Sequence, residues 1–300
     1  VAVWASSTPA SHEKRRLSPS EAAALRLVAR KTWRYFETFV TPAHNMLPPD
    51  NFQEDPEPVA AHRTSPTNIG LYLLSTVAAH NLGWAGLAET AKRLEATLET
   101  LNKLERYRGH FYNWYDTHDL RALAPHYVSS VDSGNLAGHL IAVAGACRAW
   151  SRAGDSPRCG VLDMDAMTLA REEARLLRSK RRLPTLPWLR VEEDLAKLEQ
   201  GLHGAAGDKD ALAAPVERAE AVLDVIEAHA LGESDNPASD LVFWLSAVTN
   251  SLKERLADFD RTTLQPRMAS LAQAFRDMAL SMDFSFLLDR QRQLLSIGYR

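Results

Sequence analysis

Three carboxylates, Asp116, Asp119 and Asp132, fall within "RGHFYNWYDTHDLRALAPHYVSSVDSGN" (108–135), which also crowds Phe111, Tyr112, Trp114 and Tyr115 into five positions. Aromatic faces stack on the C–H faces of sugar rings, and flanking carboxylates and amides such as Asn113, Asp116 and Asp119 bond to the hydroxyls. Paired carboxyl groups are also the equipment for breaking a glycosidic bond. They stand about 5–5.5 Å apart where a glycosyl-enzyme forms and about 6.5–9.5 Å apart where water is held between them. Sequence spacing does not fix that separation. Each ring has an equally sound alternative as core, with Trp114 and Tyr115 the best placed to face a ligand. Asp132 or Ser133 also suits a helix N-cap.

Two further clusters belong with this stretch. In "HRTSPTN" (62–68), Thr67 or Asn68 can cap the helix that follows, and Arg63 suits a bidentate bond to a carboxylate or to paired hydroxyls. Arg63 alternatively pairs with Asp116 or Asp132 to tie loops together. In "SSVDSGN" (129–135), polar groups again precede an apolar helix. The catalytic candidates are Asp132 and Asp116. The candidate sugar contacts are Arg63, Thr64, Ser65, Asn68, His110, Tyr112, Trp114, Tyr115, Ser130 and Asn135. His110, His118, His126 and His139 lack metal-ligand spacing, so no metal is expected and each histidine also reads as surface or core.

The elements that must position these residues are helical. Ser18, Pro19 and Glu21 open a helix as N-cap, first residue and capping-box partner. Its apolar stripe is Ala22, Leu25, Ala29, Trp33, Phe36 and Val40, with Arg and Lys opposite. "IGLYLLSTVAAHNLGW" and "SGNLAGHLIAVAGACRAW" are apolar nearly all round, whereas the helix from Leu87 to Leu101 between them is amphipathic. Alternating half-wet and buried helices fit an α/α toroid, whose loops gather at one mouth. The expected class is all-α: an α/α toroid with an inserted helical bundle and a short terminal β-hairpin. Residues 1–16 read as a linker, 17–150 as the first half of the toroid, 151–282 as the insertion and 283–300 as the hairpin. "RSKRR" (178–182) reads as a solvated helix end.

With 45% hydrophobic and 24% charged residues the chain is of globular type, and a net charge of −3 gives no field for nucleic acid or an anionic membrane. Cys147 and Cys159 suggest neither a disulfide framework nor a zinc site. No G-x-S-x-G elbow, P-loop, H-E-x-x-H or G-x-G-x-x-G occurs, and no D-D-x-x-D run marks a terpene cyclase.

The strings "TWRYFETFV", "HRTSPTNIGLYLLSTVAAHNLGW", "RLEATLETLNKLERYRGHFYNWYDT", "YVSSVDSGNLAGHL" and "FLLDRQRQLLSIGY" resemble the central, glycoamylase-like region of bacterial cyclic β-1,2-glucan synthases. The resemblance implies a large inner-membrane protein and a toroid that is a partial (α/α)6 one of the six-hairpin glycosidase type. One domain extends the glucan from UDP-glucose, the central domain closes it by retaining transglycosylation, and a phosphorylase-like region adjusts chain length. This chain would be the first half of the central domain, on the cytoplasmic side, inactive alone because an essential carboxylate follows in the second half. It would need no cofactor, and its partners would be the β-1,2-glucan chain and the polypeptide's other domains. Related endo-β-1,2-glucanases place acidic residues at the positions of Asp116 and Asp132. The alternatives are a non-catalytic glucan-binding scaffold and a glucanase-like hydrolase.

Overall fold

The computed structural model describes residues 17–152, 162–204, 209–230, 238–258 and 263–300. The expected linker, 1–16, lies outside them, as does Cys159. Among the described residues the helices are α1 (Pro19–Phe39), α2 (Pro66–Leu82), α3 (Leu87–Lys103), α4 (Ser130–Arg152), α5 (Met164–Ser179), α6 (Trp188–Gly204), α7 (Ala213–Ala230), α8 (Ser239–Ala257) and α9 (Leu264–Leu280). The all-α expectation holds. No helix among the described residues is long and apolar enough to cross a membrane.

Apolar faces sort the helices into two bodies. Leu73, Leu94, Leu101, Leu140, Val143, Met268 and Phe275, from α2, α3, α4 and α9, share one core, with α9 lying along α4 and α4 against α2. Leu169, Leu198, Ile226, Leu241 and Leu245, from α5 to α8, form a second. The stretch expected as one insertion, 151–282, therefore divides: α5–α8 keep their own core, while α9 joins the first. Its amphipathic stripe reads the same for either neighbour, so only packing decides.

The expected capping box of α1 is present, with Glu21 N–H donating to Ser18 Oγ at 3.2 Å and Ser18 N–H to Glu21 Oε2 at 2.8 Å. Of its expected stripe, Trp33 and Val40 are buried and Ala29 and Phe36 pack against them, but two positions depart from it. Leu25 is 55% exposed, whereas Arg30 is fully buried between the Trp84 and Trp244 rings, ion-paired to Asp163 at 2.7 Å and Glu37 at 2.6 Å. Burial pushes the Asp163 carboxyl up to about 6 even against the Arg30 charge. This triad and the Arg26–Asp165 pair at 2.6 Å fasten α1 to α5.

The bodies meet again at the start of α3. Gly86 has no side chain to cap that helix, and α8 supplies the acceptors: Leu87 and Ala88 N–H donate to the Asp258 carboxylate at 2.8 and 2.9 Å, and Gly86 N–H to Glu254 at 2.9 Å. A carboxylate at a helix N-terminus also offsets the positive end of its dipole.

Short antiparallel pairs shape the rest: β1 (Phe52–Gln53) with β2 (Val59–Ala60), β3 (Arg63–Thr64) with β6 (Tyr115–Asp116), β4 (Arg106–Tyr107) with β5 (His110–Phe111), and β8 (Leu288–Asp289) with β9 (Leu294–Leu295). The last is the expected terminal hairpin. After it β10 (Gly298–Tyr299) pairs with β7 (Val128–Ser129), so the chain end lies against the strand entering α4.

The two helices expected to be buried on most sides keep open apolar positions. Leu71 on α2 is 48% exposed, and Val131 and Ile141 on α4 are 62% and 48% exposed. Gly70 lets these helices close: a Cβ there would collide with the His139 ring.

Candidate functional site

The aromatic stretch is a set of β turns rather than an irregular loop. Arg108 and Gly109, with φ of 50° and 83°, form the two-residue turn between β4 and β5, the all-positive-φ geometry that matches strand twist. A Cβ on Gly109 would also run into the Ser281 carbonyl, because the turn sits on the end of α9. The chain then folds back so that β6 pairs with β3, Arg63 opposite Asp116 and Thr64 opposite Tyr115. This pairing brings "HRTSPTN" onto the aromatic stretch.

The pleat sorts the rings. Phe111 and Tyr115 point into the first core, 1% and 0% exposed, and the Tyr115 hydroxyl donates to the Glu105 carbonyl at 2.6 Å and accepts Tyr112 N–H at 2.7 Å. Tyr115, expected to face a ligand, is therefore a core residue. Its burial holds the phenol protonated far above its ordinary range. His110 is likewise fully buried, its ring edge-on to Phe284 and Phe286, where burial lowers its pKa. It is not a sugar contact. Tyr112 and Trp114 stay half-buried, Tyr112 against His126 at 4.9 Å.

The helix caps also differ from expectation. Ser65, with Pro66 at the first helical position, caps α2 by accepting Asn68 N–H at 3.2 Å, which leaves the side chains of Thr67 and Asn68 free. Ser129 caps α4 by accepting Asp132 N–H at 3.1 Å. Neither Asp132 nor Ser133 has that duty. The Ser130 hydroxyl, expected to meet sugar, instead donates to the Ser296 carbonyl and secures the terminal hairpin. Thr64 is fully buried beside Tyr115 and also leaves the set of contacts.

What remains converges. Asp132 Oδ1 accepts from the Thr67 hydroxyl at 2.6 Å, and Thr67 Oγ1 accepts from Asn135 Nδ2 at 3.3 Å. In its bonded orientation the Asn113 amide donates to Asp132 Oδ2 at 3.1 Å and accepts from Trp114 Nε1 at 3.0 Å. The Arg63 guanidinium lies 4.6 Å over the Trp114 ring. Its carboxylate partner is neither Asp116 nor Asp132 but Asp50, at 3.0 Å, and Asp50 also accepts from Asn68 Nδ2 at 3.2 Å. Hydrogen bonds, one ring contact and the Thr67–Asn68 peptide thus close a circuit through Asp50, Arg63, Trp114, Asn113, Asp132, Thr67 and Asn68. It forms a partly solvated floor with one aromatic face, two carboxylates and several amides.

Asp116 stands apart in role. Its Oδ1 accepts the amides of His118 at 2.7 Å and Asp119 at 3.4 Å, so it braces the turn after β6. Asp119 accepts Arg121 N–H at 2.9 Å in the same way. Asp50, absent from the expected set, completes the floor. It reaches Arg63 through the β1–β2 hairpin, where Asp50 N–H donates to the Ala61 carbonyl at 3.1 Å, and no periodicity in that stretch marks it.

The chain is 40% identical, over all of its length, to cyclic beta-(1,2)-glucan synthase NdvB of Rhizobium meliloti strain 1021. The motif resemblance to cyclic β-1,2-glucan synthases holds along the whole chain. The chain spans 11% of that synthase's length. Residues 27–131 also match the family described as "Protein of unknown function (DUF3131)", a span that runs from within α1 to the start of α4 and contains α2, α3 and β1 to β7. The synthase similarity extends over both helical bodies, so the α5–α8 body is part of what the two sequences share.

Proposed function

We propose that this chain supplies the sugar-binding floor of the domain that closes linear β-1,2-glucan into a ring by retaining transglycosylation. α2, α3, α4 and α9 would be helices of an (α/α)6 toroid, with the α5–α8 body as its helical insertion and the terminal hairpin leading into the second half. The supporting observation is the Asp132 carboxylate, free of capping, held by Thr67 and Asn113 beside the half-open Trp114 ring. Trp114 would stack one glucose unit, and Arg63, Asn68 and Asn135 would bond its hydroxyls. Asp132 would act on the sugar at the scissile bond, directly or by holding its hydroxyl. With Asp116 engaged in its turn, the second carboxylate of the reaction is assigned to the other half of the toroid. Interception of a glycosyl-enzyme by the glucan's own hydroxyl requires a cleft that excludes water. Chain extension from UDP-glucose would fall to a separate domain, and the floor would work on the cytoplasmic side of a bacterial inner membrane.

A second reading is a glucan-binding scaffold without chemistry. It is favoured by the local engagement of Asp116, which leaves Asp132 without its expected carboxylate partner. The test is an Asp132→Asn variant of the full-length polypeptide incubated with linear β-1,2-glucan. The enzyme reading expects cyclic products to fall at least about a hundredfold while glucan binding persists. Unchanged cyclisation by a folded Asp132→Asn protein would remove Asp132 from the reaction and leave the scaffold reading.

A further inference from the structure

Beside the floor three imidazoles converge from segments far apart in sequence. His44 ends the 3-10 turn Pro42–His44, His62 precedes β3, and His118 lies in the turn after β6. Their ring centroids are 4.6, 4.8 and 4.5 Å apart, and one ring nitrogen from each lies within 4.8 Å of the others. His118, expected as an isolated histidine, is thus one corner of a cluster.

The backbones under the rings are fixed without help from the rings. Asn45 Nδ2 donates to the carbonyls of Thr117 and His118, both at 2.9 Å. Thr117 N–H donates to the His62 carbonyl at 3.1 Å, and His118 N–H to Asp116 Oδ1 at 2.7 Å. His44 N–H donates to the Thr41 carbonyl at 3.0 Å. The rings themselves are less committed: His44 Nδ1 is buried with no hydrogen-bond partner among the described residues, and His62 and His118 are exposed.

Simple packing accounts poorly for this arrangement. Stacking small polar rings gains little apolar burial, and it leaves a buried ring nitrogen unsatisfied, which costs free energy. A cation at the centre satisfies all three rings. Zn–N bonds of about 2.0–2.1 Å in tetrahedral geometry place ligand nitrogens about 3.3 Å apart. The nitrogens must close by about 1.5 Å at most, a movement that side-chain rotation of the two exposed histidines provides. Three imidazoles without a carboxylate suit ions of borderline softness, whereas Mg2+ and Ca2+ select oxygen ligands.

We propose that His44, His62 and His118 bind one divalent transition-metal ion, with Zn2+ the reference case, leaving its fourth position open to water. The ion cross-links the segment before β1 to β3 and to the turn after β6. It thereby steadies the backbone carrying Arg63 and Asp116 from outside the floor, as a structural clamp rather than a reacting centre.

The test is titration of the chelator-treated chain with Zn2+ by calorimetry and with Co2+ by visible absorption, together with thermal unfolding. The expected result is one ion per chain, ligand-field bands from nitrogen-bound Co2+, a thermal midpoint raised by Zn2+ and restored by chelator, and no response to Mg2+. His62→Gln and His118→Gln, at exposed positions, each weaken Zn2+ binding at least about tenfold. His203→Gln, on α6, leaves it unchanged. Failure to bind Zn2+ or Co2+ at one ion per chain would overturn the proposal, as would equal affinity in the His62→Gln and His118→Gln proteins.

Discussion

The Thr67 hydroxyl donates to Asp132 Oδ1 at 2.6 Å, joining the first turns of α2 and α4 across 65 residues of sequence. Both residues are free to do so because Ser65 and Ser129 take the capping positions. Hydrogen bonds to a charged acceptor contribute about 1.5–3 kcal/mol when both partners are fixed. Thr67→Val keeps the shape and removes the donor. It should lower stability by about 1–2 kcal/mol in urea unfolding and weaken glucan binding about tenfold, because Asp132 loses its fixed direction. Equal glucan affinity in the two proteins would break the link between this bond and the site.

Trp114 and Tyr115 are adjacent but separate by function. Trp114→Ala should weaken glucan binding by about 1–3 kcal/mol, as loss of a stacking face does, and change the unfolding midpoint little. Tyr115→Phe should do the reverse. It strands the Tyr112 amide and the Glu105 carbonyl, costs about 1–3 kcal/mol of stability, and leaves affinity unchanged. Paired calorimetry and unfolding on both variants test the division.

Arg30 is a buried charge whose removal leaves two carboxylates behind. Arg30→Met should destabilise by about 3–5 kcal/mol, since Asp163 and Glu37 lose their compensating cation. Adding Asp163→Asn should restore part of that loss. An additive double mutant in urea unfolding would show that the charges are not coupled.

Glu254 links stability to pH. Burial, followed by the neighbouring Glu89 and Asp258 carboxylates, pushes its carboxyl up to about 8 from an unfolded value of 4.5, despite the Gly86 N–H bond and Arg93. The folded state therefore holds the proton more tightly than the unfolded one. The associated stability is complete below about pH 4.5 and is lost as pH rises toward about 8. The slope is at most about 1.4 kcal/mol per pH unit. Glu254→Gln keeps an acceptor for Gly86 without the charge, so it should flatten the decline and be more stable than the parent at pH 8. Thermal midpoints across that range decide it, and an unchanged slope would contradict the assignment.

Local signals carried the helices. Ser18, Pro19 and Glu21 act within one turn, so the start of α1 was legible, as was the terminal hairpin from two apolar pairs around a polar turn. In "TSPTN" four residues were chemically able to cap α2, and Pro66 at the first helical position made Ser65 the cap. Tyr115 turned inward because β6 pairs with β3, and Asp50 met Arg63 through the β1–β2 hairpin. Residues 44, 62 and 118 came together through turns whose closing bonds run between distant segments. Such placements depend on register between pieces two residues long, which no periodicity in a single stretch encodes.

Hydrogen exchange of the chain with and without linear β-1,2-glucan asks most directly whether this floor holds sugar. The account predicts slowed exchange at 65–68, 111–116 and 129–135, with α5–α8 unaffected. Protection confined to α5–α8, or none at saturating glucan, would contradict it.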